Sequence, residues 1–223
     1  MPNVPKAWNG VLYVTDTRAS TSGTKRAVRL ANGAALPSAG VTVVSDNPVY
    51  IQGDFNTGRT STAEPGSNTG RLDQPEAGSY KRAPASVMAD AITVLSNNWS
   101  DAASSLDMSQ TAKAAKNTTV NAALVAGNVP SDGTYYSGGA ENYVRFLENW
   151  DGQTFTYYGS MLGLYASKYA TGKWGLTDYY RPPQQNWYFD PKLTVDSQGN
   201  PVSVPGYVST VSYLQQQRWY LQY

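Results

Sequence analysis

The chain has 223 residues and a formal net charge of +1, with charged side chains at 15%, well below the roughly 25% of an average soluble protein. It contains no Cys and no His. That excludes disulfide frameworks, thiolate nucleophiles, imidazole bases, Ser–His–Asp triads and nearly every zinc, copper, haem or iron–sulfur site. So even a charge balance also excludes nucleic-acid binding by bulk electrostatics.

Ser, Thr, Asn and Gly together make up about a third of the chain, and Tyr (17) and Trp (6) far outnumber Phe (4). Disorder of the polar type needs high net charge and few aromatics, and both conditions fail. The composition predicts an ordered, loop-rich β protein that buries amphipathic aromatics and keeps their polar tips near water. No stretch approaches the ~18 apolar residues of a membrane span. The opening Met1-Pro2-Asn3-Val4-Pro5 carries no signal-peptide pattern. The chain therefore reads as a fragment, with any export signal or anchor lying upstream.

Short runs rich in Val, Thr and Tyr, each ending at turn residues, predict strands over residues 11–14, 27–30, 41–44 and 49–52. Residues 57–86 are polar and Gly/Pro-rich, and predict a long loop or lid. Strands are expected again over 91–95 and 120–125, on either side of an Ala/Ser/Lys-rich loop, 100–118, with a helical turn near 111–116. In residues 141–150, Tyr143, Phe146, Leu147 and Trp150 fall at i, i+3, i+4 and i+7. That spacing predicts an amphipathic helix ending at Asp151-Gly152. A long strand follows over 155–165, and a second short helix is expected within 211–220.

Two segments share a pattern of strand, Gly, then Asp or Asn: Ile51-Gln52-Gly53-Asp54-Phe55 and Val125-Ala126-Gly127-Asn128-Val129. Gly before a short polar residue suits a positive-φ corner. Recurring strand-and-corner units predict a mainly β fold, a right-handed parallel β-helix-like solenoid with long loop insertions and one or two short helices. A β-sandwich is the alternative. Either way residues 1–223 form a single domain, interrupted near 57–86 and 100–118.

Several stretches resemble a known family when taken in order. They are Asn47-Pro48-Val49-Tyr50-Ile51-Gln52-Gly53-Asp54-Phe55-Asn56, Pro84-Ala85-Ser86-Val87-Met88-Ala89-Asp90, Asn97-Asn98-Trp99-Ser100-Asp101, Glu141-Asn142-Tyr143-Val144-Arg145-Phe146 and Arg181-Pro182-Pro183-Gln184-Gln185-Asn186-Trp187. Together, from about residue 10 to residue 220, they resemble the C-terminal β-rich region of large exported bacterial proteins related to PilX-like, type IV pilus-associated proteins. The resemblance implies an extracellular or cell-surface location behind a pilin-like helix, with other surface or pilus subunits as partners. It implies no catalytic residues.

Without His or Cys, catalysis would fall to carboxylates. A polysaccharide-acting hydrolase or lyase needs two of them across the sugar, and Asp46, Asp54 and Asp90 border predicted strands. Stacked coils would bring Asp54 and Asp90 to one corner; otherwise both serve as turn and backbone-capping groups. No Asp-rich calcium loop occurs, so no metal or cofactor is expected. The aromatic pairs are the better candidates. Adjacent strand residues face opposite ways, so one member of each pair can pack inward while the other meets a glycan or a protein partner; the alternative is aromatic packing beneath loops. Tyr136, Tyr158, Tyr180 and Trp187 are the predicted ligand-binding residues. The resulting expectation is a non-enzymatic structural or adhesive surface domain, with the β-helical polysaccharide enzyme as alternative and with no nucleic acid or membrane contact.

Overall fold

The computed structural model describes residues 9–18, 26–58, 80–131, 136–171, 174, 181–190 and 193. The Val-, Thr- and Tyr-rich runs are extended, as expected of side chains that pack on a pleated, half-buried surface. The strands are β1 (Val11–Tyr13), β2 (Val28–Ala31), β3 (Val41–Ser45), β4 (Val49–Gln52), β5 (Ala85–Ala89), β6 (Ile92–Leu95), β7 (Thr118–Gly127), β8 (Val144–Phe146), β9 (Thr154–Tyr165) and β10 (Gln184–Phe189). They form a six-stranded sheet ordered β1-β3-β5-β7-β9-β10 and a four-stranded sheet ordered β2-β4-β6-β8. Every pairing is parallel. As far as β9, each strand pairs with the one two places on, and the chain visits the other sheet in between. All-parallel pairing excludes the antiparallel β-sandwich.

Register places like above like. Val28, Val49, Ile92 and Val144 share one level of the four-stranded sheet, and Leu30, Ile51, Val94 and Phe146 another. Opposite them Val43, Val87, Leu124 and Met161 line up in the six-stranded sheet. Most of these side chains are fully buried between the sheets, each worth roughly 1.5–3 kcal/mol of apolar burial. The connections differ sharply in length. Residues 46–48 and 90–91 are short corners, whereas 53–84 and 96–117 carry the long excursions.

Three expectations are corrected. The helix over 141–150 does not form: a 3-10 turn, Gly139–Asn142, leads straight into β8. Tyr143, Phe146 and Trp150 are buried as expected, but Leu147 is 37% exposed. Pairing of Val144 and Phe146 with β6 overrides a helical period only ten residues long. Secondly, β5 starts at Ala85, inside the segment read as strandless. Thirdly, Gly53 has φ +78°, but Gly127 is not among the positive-φ glycines and ends β7 instead. The two similar segments thus lie in different sheets, so their spacing does not measure a repeat. The helical turn near 111–116 is present as a 3-10 turn, Thr111–Lys113. The helix expected in 211–220 lies outside the described residues.

β7 is ten residues long, and its flank is shared. Ser86–Ala89 pair with its second half, Ala123–Ala126. Beside its first half sits Phe55, whose N–H donates to the Thr119 carbonyl (2.9 Å) and whose carbonyl accepts from Asn121 N–H (3.1 Å). The chain therefore touches the six-stranded sheet at Phe55, leaves on its long excursion, and returns to complete the same sheet as β5.

Candidate functional site

The outward face of the four-stranded sheet holds Arg29, Tyr50, Thr93 and Arg145 at one level. Over part of this face leans the connection after β6. Its path is pinned at both ends. Ser96 Oγ accepts from Asn98 N–H (3.1 Å), and Trp99 N–H donates to the Ser96 carbonyl (3.2 Å). Further on, Lys113 and Ala115 exchange backbone bonds with Asn149, at 2.9 and 2.8 Å. Between sheet and connection lies a groove of about 480 Å³ lined by Arg29, Tyr50, Leu95, Trp99, Asp101, Met108 and Lys113, among others.

Its aromatic wall is held in place by polar contacts. Trp99 Nε1–H donates to Asp101 Oδ1 (2.8 Å), and the same oxygen accepts from Arg29 Nη2 (2.7 Å). The Arg29 and Trp99 hydrogen bonds hold the Asp101 carboxyl below its ordinary value. Gln52 Nε2 donates to the Trp99 carbonyl (3.3 Å). The Lys113 ammonium sits 5.5 Å from the centroid of the Trp99 ring and donates to the Ser104 carbonyl (2.7 Å). Below them Glu148, 1% exposed, accepts from both N–H and Oγ of Ser96, each at 2.6 Å. Burial raises the Glu148 carboxyl, against the hydrogen bonds from Ser96 and the charge of Lys113.

The carboxylates do not meet. Asp54 follows β4 and Asp90 precedes β6, and because Val49 pairs with Ile92 the two residues lie at opposite ends of this strand pair. Asp54 Oδ1 accepts from Thr119 N–H (2.8 Å). Asp90 accepts from Ser167 Oγ (2.6 Å), Lys168 N–H (2.7 Å) and Tyr169 N–H (3.0 Å). Both are buried and hold backbone, the structural role weighed for them above. Asp46 accepts from the Tyr13 hydroxyl at 2.5 Å. Among the described residues no group of three acidic side chains converges to hold a metal ion.

The predicted aromatic ligand residues are scattered. Tyr136 is 60% exposed, with the Trp174 ring edge-on at 5.3 Å. Tyr157 faces the core and Tyr158 faces outward, but Tyr158 is buried as well and does not reach the surface. Its outward face is covered by Tyr188, 4.9 Å between centroids, and by the Arg82 guanidinium at 5.6 Å. Trp187 pairs with Tyr157 and packs against the core, on the opposite face of the sheet from Tyr158. Tyr180 lies outside the described residues. The groove was missed because its members come from residues 27–29, 50, 95–113 and 147. Trp99 and Asp101, two positions apart, were its one local signal.

No family model, curated protein or solved structure matches the chain.

Proposed function

We propose that this chain is a non-enzymatic structural or adhesive module of a type IV pilus-associated bacterial surface protein, built as a right-handed parallel β-solenoid. The alternation of strands between two parallel sheets supports the coiled form, since each return to a sheet adds one layer. Right-handed winding is the rule for parallel crossovers. The sequence resemblance described above supports the surface setting and other surface or pilus subunits as partners, and the Tyr and Trp side chains support glycans.

The observation that carries the non-enzymatic reading is the separation of the acids. A glycosidase needs two carboxyl groups about 5–10 Å apart across its substrate. Asp54 and Asp90 stand at opposite ends of the β4–β6 pair, and each is committed to backbone donors. The test uses the purified chain on whole bacteria and on isolated type IV pili, in parallel with a reducing-end assay on a polysaccharide panel. Retention on cells or pili without sugar release is expected. Release that disappears in Asp54→Asn would overturn the proposal in favour of the enzyme.

A further inference from the structure

Resting on that surface-module reading and naming its ligand class, we propose that the groove over the four-stranded sheet binds a neutral saccharide unit. Its volume, about 480 Å³, falls within the range of small-ligand sites, about 300–1,000 Å³. A sugar ring offers an apolar C–H face and a rim of hydroxyls, and the groove offers the complement of both. Tyr50 and Trp99 give amphipathic aromatic surface that can take the ring face, and Leu95 and Met108 extend the apolar lining.

Hydroxyl recognition needs polar groups fixed in direction before the ligand arrives. Trp99 and Arg29 both donate to Asp101 Oδ1. Those two bonds engage Oδ1, and Oδ2 is the oxygen left to accept from a ligand hydroxyl. The same bonds orient the Arg29 guanidinium, whose Nη1 also reaches Gln52 Oε1 at 3.4 Å.

Neutrality follows from the charges. Arg29 is balanced by Asp101, 2.7 Å away. The Lys113 ammonium is engaged by the Ser104 carbonyl and lies within electrostatic reach of Glu148. Among the described lining residues the Arg29 guanidinium is paired with Asp101 and the Lys113 ammonium is held by a carbonyl and the Trp99 ring, so binding rests on stacking and hydrogen bonds rather than ion pairing.

The experiment is calorimetric and NMR titration of the whole chain with neutral gluco-, galacto-, manno- and N-acetylglucosamine oligosaccharides. Beside them run a uronic-acid and a sulfated oligosaccharide. At least one neutral sugar should bind saturably with a Kd on the order of 1 mM or tighter, in the weak range common to single small sites. Tyr50→Ala and Asp101→Asn should each weaken it at least about tenfold, with an unchanged melting temperature showing that the fold persists. Raising NaCl from about 50 to about 500 mM should leave Kd within about twofold, because no ion pair with the ligand is there to screen.

Absence of saturable binding by every neutral sugar would overturn the proposal. So would equal binding by both variants, or preference for an acidic sugar lost at high salt. Adhesion to cells or pili by a chain that binds no sugar would sink the groove and leave the surface module standing. Sugar binding by a chain that holds to neither surface would sustain the groove and sink the module.

Discussion

The outer faces of the two sheets start alike and end differently. On the six-stranded sheet, Thr42, Ser86, Thr119, Asn121 and Tyr158 point away from the core yet are almost wholly buried. The segment returning from the first long excursion meets this face through Tyr80, Arg82 and Ala83. Asn56, at φ 58°, donates through Nδ2 to the carbonyls of Ala83 and Asn121, and through Oδ1 accepts from Tyr80 Oη–H and Ala83 N–H. Arg82 then reaches Asp190 through two hydrogen bonds, 2.9 and 3.0 Å, with both side chains under a tenth exposed. On the four-stranded sheet the second excursion leans on Thr93 and Leu95 but leaves Arg29 and Tyr50 facing a groove. A parallel ladder thus makes a core without deciding what its outer faces become. Sealed polar networks turn one face into interior, and a partial cover turns the other into a site.

The contrast breaks hardest at the sealed face. Arg82→Met leaves Asp190 buried with no counter-charge, and should cost roughly 3–5 kcal/mol in chemical denaturation. A loss under about 1 kcal/mol would mean that this face opens to water. Next comes Asn56→Asp, which turns the Nδ2 donor toward two carbonyls as an acceptor. A loss of about 2–4 kcal/mol is expected, since two buried hydrogen bonds become repulsive contacts.

Gly159→Ala tests the inner side of the six-stranded ladder. A Cβ there would meet the Ala122 carbonyl oxygen and the Tyr157 ring, whose hydroxyl lies 2.8 Å from the carbonyls of both Ala122 and Ser160. Overpacking of this kind costs about 1–3 kcal/mol, read as a lower melting temperature with both faces otherwise intact.

The smallest effect belongs to Glu148, beneath the open face. Its carboxyl is raised above the ordinary 4.5 by burial, so the folded chain binds that proton more tightly than the unfolded chain. The stabilisation linked to it is therefore complete below about pH 4.5 and fades as pH rises through the higher folded value. Glu148→Gln should flatten the pH dependence of the melting temperature above that point, and its advantage over the unsubstituted chain should grow toward neutrality. Parallel pH profiles of the two would exclude any buried ionisation here.

Strand existence was legible where Val, Thr and Tyr cluster between turn residues, as at Val41-Thr42-Val43-Val44 and Val49-Tyr50-Ile51-Gln52. It was illegible at β5, whose Ala85-Ser86 start reads as loop, and at β8, whose apolar spacing imitates a helix. A three-residue strand takes its identity from the neighbour that hydrogen-bonds to it. The backbone-holding role of Asp54 and Asp90 was anticipated by their turn-forming character; what covers Tyr158 was not, because Arg82 and Tyr188 reach it from other segments.

Composition alone determined that this chain carries no imidazole or thiol side chain, and it pointed to a β-rich, aromatic-laden interior. Local pattern placed most strands, because side-chain alternation and turn chemistry act within a few residues. Only the tertiary structure decided that Asp54 and Asp90 stand apart while Arg29 and Asp101, 72 positions distant, meet over Trp99. Parallel register sets those meetings: it fixes which residues of far-separated segments share a level, and no window of local sequence contains both partners.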